Sequence, residues 1–251
     1  LRLWIFLKGK DMELKNNTIL ITGATSGIGL EMAKQLMNLD NTVIVTGRKK
    51  EKMESVKKMY PSLNVYPLDV TDVTSIHSLY DRLIKDFPKL NILINNAGLM
   101  KSIQFTSAKM EILTDEITTN LAGPILMTQT FLPHILRQKN SAILNVTSGI
   151  AYFPFDKAPL YSASKLGLHS YTQSFRKQLK KTNVKIFELA PPRTDKPMFS
   201  GSEEDNAQVD RIPQMPIEKV VQTMITGLKR DKLLILPGMS KLLRILGKIQ
   251  L

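Results

Sequence analysis

The chain has 251 residues, 43% of them hydrophobic, which suffices for one α/β domain whose sheet is buried on both faces. It has no cysteine, which excludes disulfide frameworks and thiolate metal sites, and its three histidines, His77, His134 and His169, lack zinc-binding spacing. The formal net charge of +13 is scattered along helical stretches without interleaved aromatic residues, so a metal-free cytoplasmic protein that does not bind nucleic acid is expected.

In chain order, residues 1–15 read as an N-terminal extension with Met12 as a candidate initiator, because the apolar cluster Leu3 to Leu7 is far shorter than the roughly 20 residues of a membrane span. Apolar runs then predict strands at Thr18 to Thr22, Thr42 to Thr46, Asn64 to Leu68, Asn91 to Asn95, Ala142 to Thr147, Lys185 to Leu189 and Leu233 to Leu236. Helices are expected to begin near Gly27, Lys49, Asp72, Lys109, Leu160 and Ile217. Such alternation predicts a single doubly wound parallel sheet over residues 16–240, with helices on both faces. Ligands bind at the carboxyl ends of strands in these sheets, so the residues after Thr22, Thr46, Asn95, Thr147 and Leu189 should converge. Residues 197–216 read as a loop beside the site and a candidate lid.

The first strand runs into Thr22-Gly-Ala-Thr-Ser-Gly-Ile-Gly29, a turn opening an amphipathic helix. Gly23 permits a tight turn, Gly27 lets the backbone approach a pyrophosphate and Gly29 allows close helix-to-sheet contact, with Thr25, Ser26 and Ile28 completing the cradle. Where dinucleotide sites carry an acid after the second strand, this chain has Gly47-Arg-Lys-Lys50. A guanidinium at Arg48, aided by Lys49 or Lys50, suits a 2′-phosphate, so NADP(H) is expected in preference to NAD(H). The fourth strand ends in Asn95-Asn-Ala-Gly98; Asn95 reads as structural support, while Asn96, Ala97 and Gly98 border the cofactor.

Tyr161 and Lys165 stand four apart, on one helix face, and Ser148 ends the fifth strand. A nearby ammonium favours the phenolate and makes tyrosine a usable acid/base group, while Ser148 can hydrogen-bond a substrate oxygen. The bland alternative is a tyrosine with a solvated lysine one turn on. Met100, Ile103, Ile150, Tyr152, Phe153 and Phe155 are candidates for an apolar substrate cleft. His169, eight residues past Tyr161, reads as a packed or interfacial histidine.

Taken together, TGATSGIG, NNAG, Asn120, Ser148 and YSASK resemble the short-chain dehydrogenase/reductase family over residues 16–240. The resemblance implies a seven-stranded Rossmann fold, a homodimer or homotetramer, and hydride transfer between a nicotinamide cofactor and the carbonyl or hydroxyl carbon of a small, partly apolar substrate. It also implies a catalytic tetrad. Tyr161 exchanges the proton, Lys165 also holds the nicotinamide ribose, Ser148 orients the carbonyl and Asn120 anchors a relay water. Asp69, followed by Val70, matches the residue that contacts adenine. One segment departs from the pattern: the usual Pro-Gly turn and carboxamide-binding threonine are replaced by Pro191-Pro-Arg-Thr-Asp-Lys196, with Pro191 and Thr194 the nearest candidates. The runs FPKLNILINNAG, FLPHILRQ and APP resemble oxidoreductases encoded with teichoic-acid D-alanylation genes.

Two other readings stay open. One is an NADP(H)-binding regulatory protein without turnover. The other is an oxidoreductase of cell-envelope metabolism resting on a membrane surface, since the tail at residues 241–251 alternates apolar and basic positions; the same pattern suits docking on a second subunit or on the core.

Overall fold

The computed structural model describes residues 12–103, 110–195, 199–200 and 212–247. Seven short strands rich in Ile, Leu and Val form one parallel sheet: β1 (Thr18–Ile21), β2 (Thr42–Gly47), β3 (Asn64–Pro67), β4 (Leu90–Asn95), β6 (Ala142–Val146), β7 (Lys185–Leu189) and β9 (Leu234–Ile235). Their order is β3-β2-β1-β4-β6-β7-β9. The winding reverses between β1 and β4, which opens a crevice at the carboxyl ends of those strands. A separate pair, β5 (Met100–Lys101) and β8 (Phe199–Ser200), lies outside the expected set.

Alternation along β1 divides the core. Ile19 and Ile21 face one layer, with Met32 and Leu36 of α1 (Gly27–Met37) and Val221 and Met224 of α7 (Ile217–Lys229). Leu20 faces the other, with Ile76 and Leu83 of α3 (Val73–Asp86) and Phe131 of α5 (Gly123–Ile135). Each fully buried side chain of this size contributes about 1.5–3 kcal/mol. Met12 and Leu14, read from sequence as part of an extension, are buried in the first layer. Residues 1–11 lie outside the described residues.

The amino ends of the strands are tied by uncharged amides. Asn17 donates from its backbone and side chain to Asn41 Oδ1 at 2.9 and 3.0 Å. The side-chain amides of Asn91 and Asn140 both donate to Asn17 Oδ1 at 2.8 Å, and Thr18 N–H donates to Asn91 Oδ1 at 2.9 Å.

The helix expected from Lys109 is interrupted. It comprises α4 (Met110–Ile117), a wide turn at Thr118–Ala122 and α5. Gly123 N–H reaches back five residues to Thr118 O, and Pro124 has no N–H to give the Asn120 carbonyl one turn earlier. The long α6 (Pro159–Gln178) carries Tyr161 and Lys165, with α2 (Lys50–Met59) at the opposite edge of the sheet. The tail forms α8 (Ser240–Gly247), which packs on a single 3₁₀ turn, Gly149–Ala151, just after β6. The candidate lid lies largely outside the described residues, as do 248–251.

Candidate active site

A cleft of about 1130 Å³ lies at the carboxyl ends of the strands. All the candidate cofactor and catalytic residues line it except Asp69 and Asn120. Its floor is the turn after β1. Gly23 has φ +63°, and a Cβ there would meet Ala97 Cα at 2.7 Å. The turn is sewn to the segment after β4: Thr22 Oγ1 accepts from Asn96 and Ala97 N–H at 3.0 Å, and Asn96 Nδ2 donates to the Thr22 and Gly23 carbonyls at 2.9 and 3.1 Å. Gly27 has φ +58° and open space beside its missing Cβ. Ser26 caps α1 without a side-chain bond, so backbone N–H groups of the first turn remain available to an acceptor.

At the end of the cleft beside β2, Arg48 is 59% exposed and its guanidinium stands 3.9 Å from Asp69 Oδ2. Burial would raise the Asp69 carboxyl, but hydrogen bonds from Thr71 N–H and Oγ1, at 2.9 and 2.7 Å, together with Arg48, hold it below the ordinary value. Lys49 and Lys52 line the cleft, whereas Lys50 extends towards Glu54 at 4.0 Å. Periodicity explains the change: once α2 starts at Lys50, positions 49 and 52 share a side.

At the reacting end, Tyr161, Lys165 and Ser148 are all buried or nearly so. Burial pushes the Tyr161 phenol up to about 12, and the Ser148 hydroxyl opposes this. Burial also brings Lys165 down to about 8. The lysine donates to Val146 O at 2.9 Å and sits 5.6 Å from the Tyr161 ring centroid. The expected depression of the phenol by the ammonium is therefore absent, because Lys165 is turned to a strand carbonyl and desolvation dominates. Asn120 is fully buried. Its Oδ1 accepts from Leu99 N–H at 2.9 Å, and its Nδ2 donates to Leu99 O at 2.8 Å and Ser164 Oγ at 3.2 Å, so the side chain clamps the loop after β4 to α6. Asn95 bridges to Asn145 Oδ1 and Thr128 Oγ1 at 2.9 and 3.1 Å, the supporting role expected of it.

The short chain dehydrogenase family profile matches residues 17–207. An uncharacterized oxidoreductase of Bacillus subtilis (strain 168), DltE, is 38% identical over 223 residues, 88% of each chain. The chain belongs to the short-chain dehydrogenase family. A Staphylococcus saprophyticus oxidoreductase is 32% identical over 192 residues, 74% of this chain and 82% of that one. In fold, the dehydrogenase is similar to a short-chain dehydrogenase from Streptomyces avermitilis, with TM-score 0.83, 22% identity and 94% of both chains covered. It is likewise similar to a Burkholderia phymatum family member in complex with NAD, at TM-score 0.80, 17% identity and 92% and 93% coverage. Membership makes this protein an oxidoreductase of the alcohol/carbonyl class built on an NAD(P)-binding fold.

The substrate side of the dehydrogenase differs from its sequence reading. Met100, Ile150, Phe153 and Phe155 line the cleft as expected, but Ile103 and Tyr152 do not. Tyr152 is drawn the other way by Glu188, a fully buried acid on β7 that accepts from Tyr152 OH at 3.1 Å, Thr147 Oγ1 at 2.7 Å and the His169 ring at 2.9 Å. Its charge and its bond to the phenol, added to burial, hold the Tyr152 hydroxyl well above the ordinary tyrosine range. His169 is thus a packed partner of Glu188. An acid inside the apolar run KIFEL was a legible sign of a buried partner. Leu243 of α8 also lines the cleft, which makes the tail helix part of its wall. Thr194 and Pro191 border the same space, and Pro191 O accepts from Gly149 N–H at 2.8 Å.

Proposed function

We propose that this dehydrogenase uses NADP(H) to interconvert the carbonyl and alcohol forms of a small, partly apolar substrate, with Tyr161 as acid/base. The observation that carries the reading is the meeting of Ser148, Tyr161 and Lys165 with the glycine turn in one cleft. The residues fit a dinucleotide: Gly27 leaves room where a Cβ would intrude, α1 offers uncapped N–H groups to a diphosphate, and Arg48, Lys49 and Lys52 supply cations at the far end. When bound, the nicotinamide supplies or takes up the hydride.

The chain's own part is proton delivery and orientation. In the reductive direction the Tyr161 O–H bond breaks as its proton passes to the substrate oxygen, towards which the Ser148 hydroxyl also donates. A phenol raised to about 12 is protonated at neutral pH, the form this step requires. Lys165, with a value near 8, is largely cationic there, and turning from the Val146 carbonyl towards the phenol as the proton leaves would let it stabilise the phenolate. In oxidation the same groups act in reverse. Met100, Ile150, Phe153, Phe155 and Leu243 favour an apolar substituent on the reacting carbon. A cytoplasmic homodimer or homotetramer completes the proposal. Exposed Leu166, Leu242 and Ile245 offer surfaces for subunit contact, which sedimentation would test.

The test is a screen of aldehydes, ketones and alcohols with NADP(H) and NAD(H), followed at the reduced-nicotinamide absorbance. With an accepted substrate, Tyr161→Phe should reduce turnover by about 10³-fold while leaving cofactor affinity nearly unchanged. Near-normal turnover by that variant defeats the assignment.

A further inference from the structure

Among the described residues, four buried side-chain atoms lack a hydrogen-bond partner: Thr46 Oγ1, Asn95 Oδ1, Glu116 Oε2 and Ser240 Oγ. Glu116 alone of these is ionisable. It is fully buried near the end of α4, one turn before Asn120. Its Oε1 accepts from Lys101 N–H at 2.9 Å, while Oε2 faces no donor among the described residues. The Lys101 ammonium is committed elsewhere, to Asp115 at 2.7 Å.

Helix α4 packs against α6, the helix of Tyr161 and Lys165. The turn that follows α4 is bonded to α6: Asn120 Nδ2 donates to Ser164 Oγ at 3.2 Å, and within α6 Ser164 Oγ donates to Tyr161 O at 2.8 Å. Among the described residues, the charged and titratable groups around Glu116 are Lys101 from β5, Asp115 from its own helix and Tyr161 from α6. Lys165 beyond them is bonded to Val146 O. Burial raises the Glu116 carboxyl; the Lys101 N–H and charge pull against this, and Asp115 adds to it. An anionic oxygen with no donor in such a place carries an uncompensated desolvation penalty. Protonation at Oε2 removes the charge and lowers that penalty.

We propose that Glu116 is a positioning residue of the active site, a buried carboxyl group with one unpartnered oxygen, packed behind the helix of Tyr161 and acting on that tyrosine through its charge. The inference rests on the reading of Tyr161 as the acid/base group. Its sign follows from repulsion. A Glu116 carboxylate disfavours the Tyr161 phenolate, so it weakens the tyrosine as a proton donor to a carbonyl and strengthens it as a proton acceptor from an alcohol. Neutral Glu116 does the opposite. The two titrations are coupled, and each step carries a trace of the other group.

The experiment labels tyrosine with carbon-13 at Cζ in the full-length protein, assigns the Tyr161 resonance by its loss in Tyr161→Phe, and follows it from about pH 5 to pH 11. Wild type should show a small lower step as Glu116 ionises, followed by the onset of the phenol's own titration. In Glu116→Gln the lower step should vanish and the phenol should titrate about one unit lower. Glu116→Asp, which restores an ionisable group, should restore a lower step. If the glutamine variant does not fold, Glu116→Asp decides: a lower step moved from its wild-type pH upholds the proposal, and one left in place, as ionisation of Lys165 alone would leave it, overturns it. An unmoved phenol titration in a folded glutamine variant overturns it as well. No turnover is needed for this readout, so retained activity in Tyr161→Phe would sink the acid/base reading separately from the electrostatic coupling.

Discussion

Gly23 and Leu243 border the same cleft, yet they reach it by different routes. The glycine-turn side is largely backbone: residues 22–29 and 95–98 form two adjoining turns whose hydrogen bonds join main chain to Thr22 and Asn96. The opposite wall is assembled from side chains on distant segments, with Met100, Phe153 and Leu243 separated by most of the fold. A wall of contiguous backbone leaves a short signature in the chain. One built from scattered apolar side chains leaves almost none and is free to diverge in shape.

The largest effect that would sharpen this contrast is expected at the junction of the two sides. Lys165→Met should reduce turnover by about 10³-fold, yet it should raise Tm. Lys165 binds its proton less tightly when folded, near 8, than in its ordinary state at 10.5. Its destabilisation is therefore full below about pH 8 and is relieved as pH rises towards 10.5, so the Tm gain from removing it should be larger at pH 7 than at pH 10. Thermal melts of the variant and wild type at pH 7 and pH 10 check this; an equal Tm difference at both would contradict the sign.

Next in size, Gly23→Ala should cost about 1–3 kcal/mol through its positive φ, with a further penalty for the contact with Ala97, and should weaken both dinucleotides in calorimetry. Equal affinity before and after would mean that the turn tolerates side chains and that the backbone contrast is false. Arg48→Asp should change the ratio of NADP(H) to NAD(H) affinity by about tenfold or more in favour of NAD(H). Parallel titrations measure it, and a constant ratio would remove Arg48 from the phosphate site. The smallest effect belongs to the side-chain wall. Leu243→Ala should raise KM for an apolar substrate by about tenfold at most, leaving cofactor affinity alone. A fall in cofactor affinity instead would show that α8 supports both sides.

Legibility followed the same division. Strand positions could be read to within one or two residues, because parallel strands buried on both faces need unbroken runs such as TILI and LNILIN. The motif residues likewise fell together in one cleft, Asp69 and Asn120 excepted. The interruption at Thr118–Ala122 was missed although Gly123-Pro124 marks it, since apolar periodicity alone passes through a wide turn. Lys52 in place of Lys50 depended on the first residue of α2, a boundary finer than pattern reading resolves. Glu188 had a signal in its apolar strand, but its partners lie 19 to 41 residues away. Glu116 had none: in MEILTDEI it resembles any helical surface acid, and only tertiary packing hides it.

At the far rim of the sheet, the amides of Asn17, Asn41, Asn91 and Asn140 hold the strand starts with groups that do not titrate. The amide cluster itself therefore carries no titrating group, although the ion pairs Lys15–Asp40 and Lys185–Asp231 stand at the same rim. Slow hydrolysis of the Asn17 side-chain amide would exchange a donor to the Glu13 and Lys15 carbonyls for a carboxylate oxygen. The resulting repulsion, with a lost bond worth about 1 kcal/mol and a buried charge beside it, would loosen the origin of β1. Stored preparations would then lose cooperativity from the strand starts upward, long before the chemistry at the opposite edge had changed.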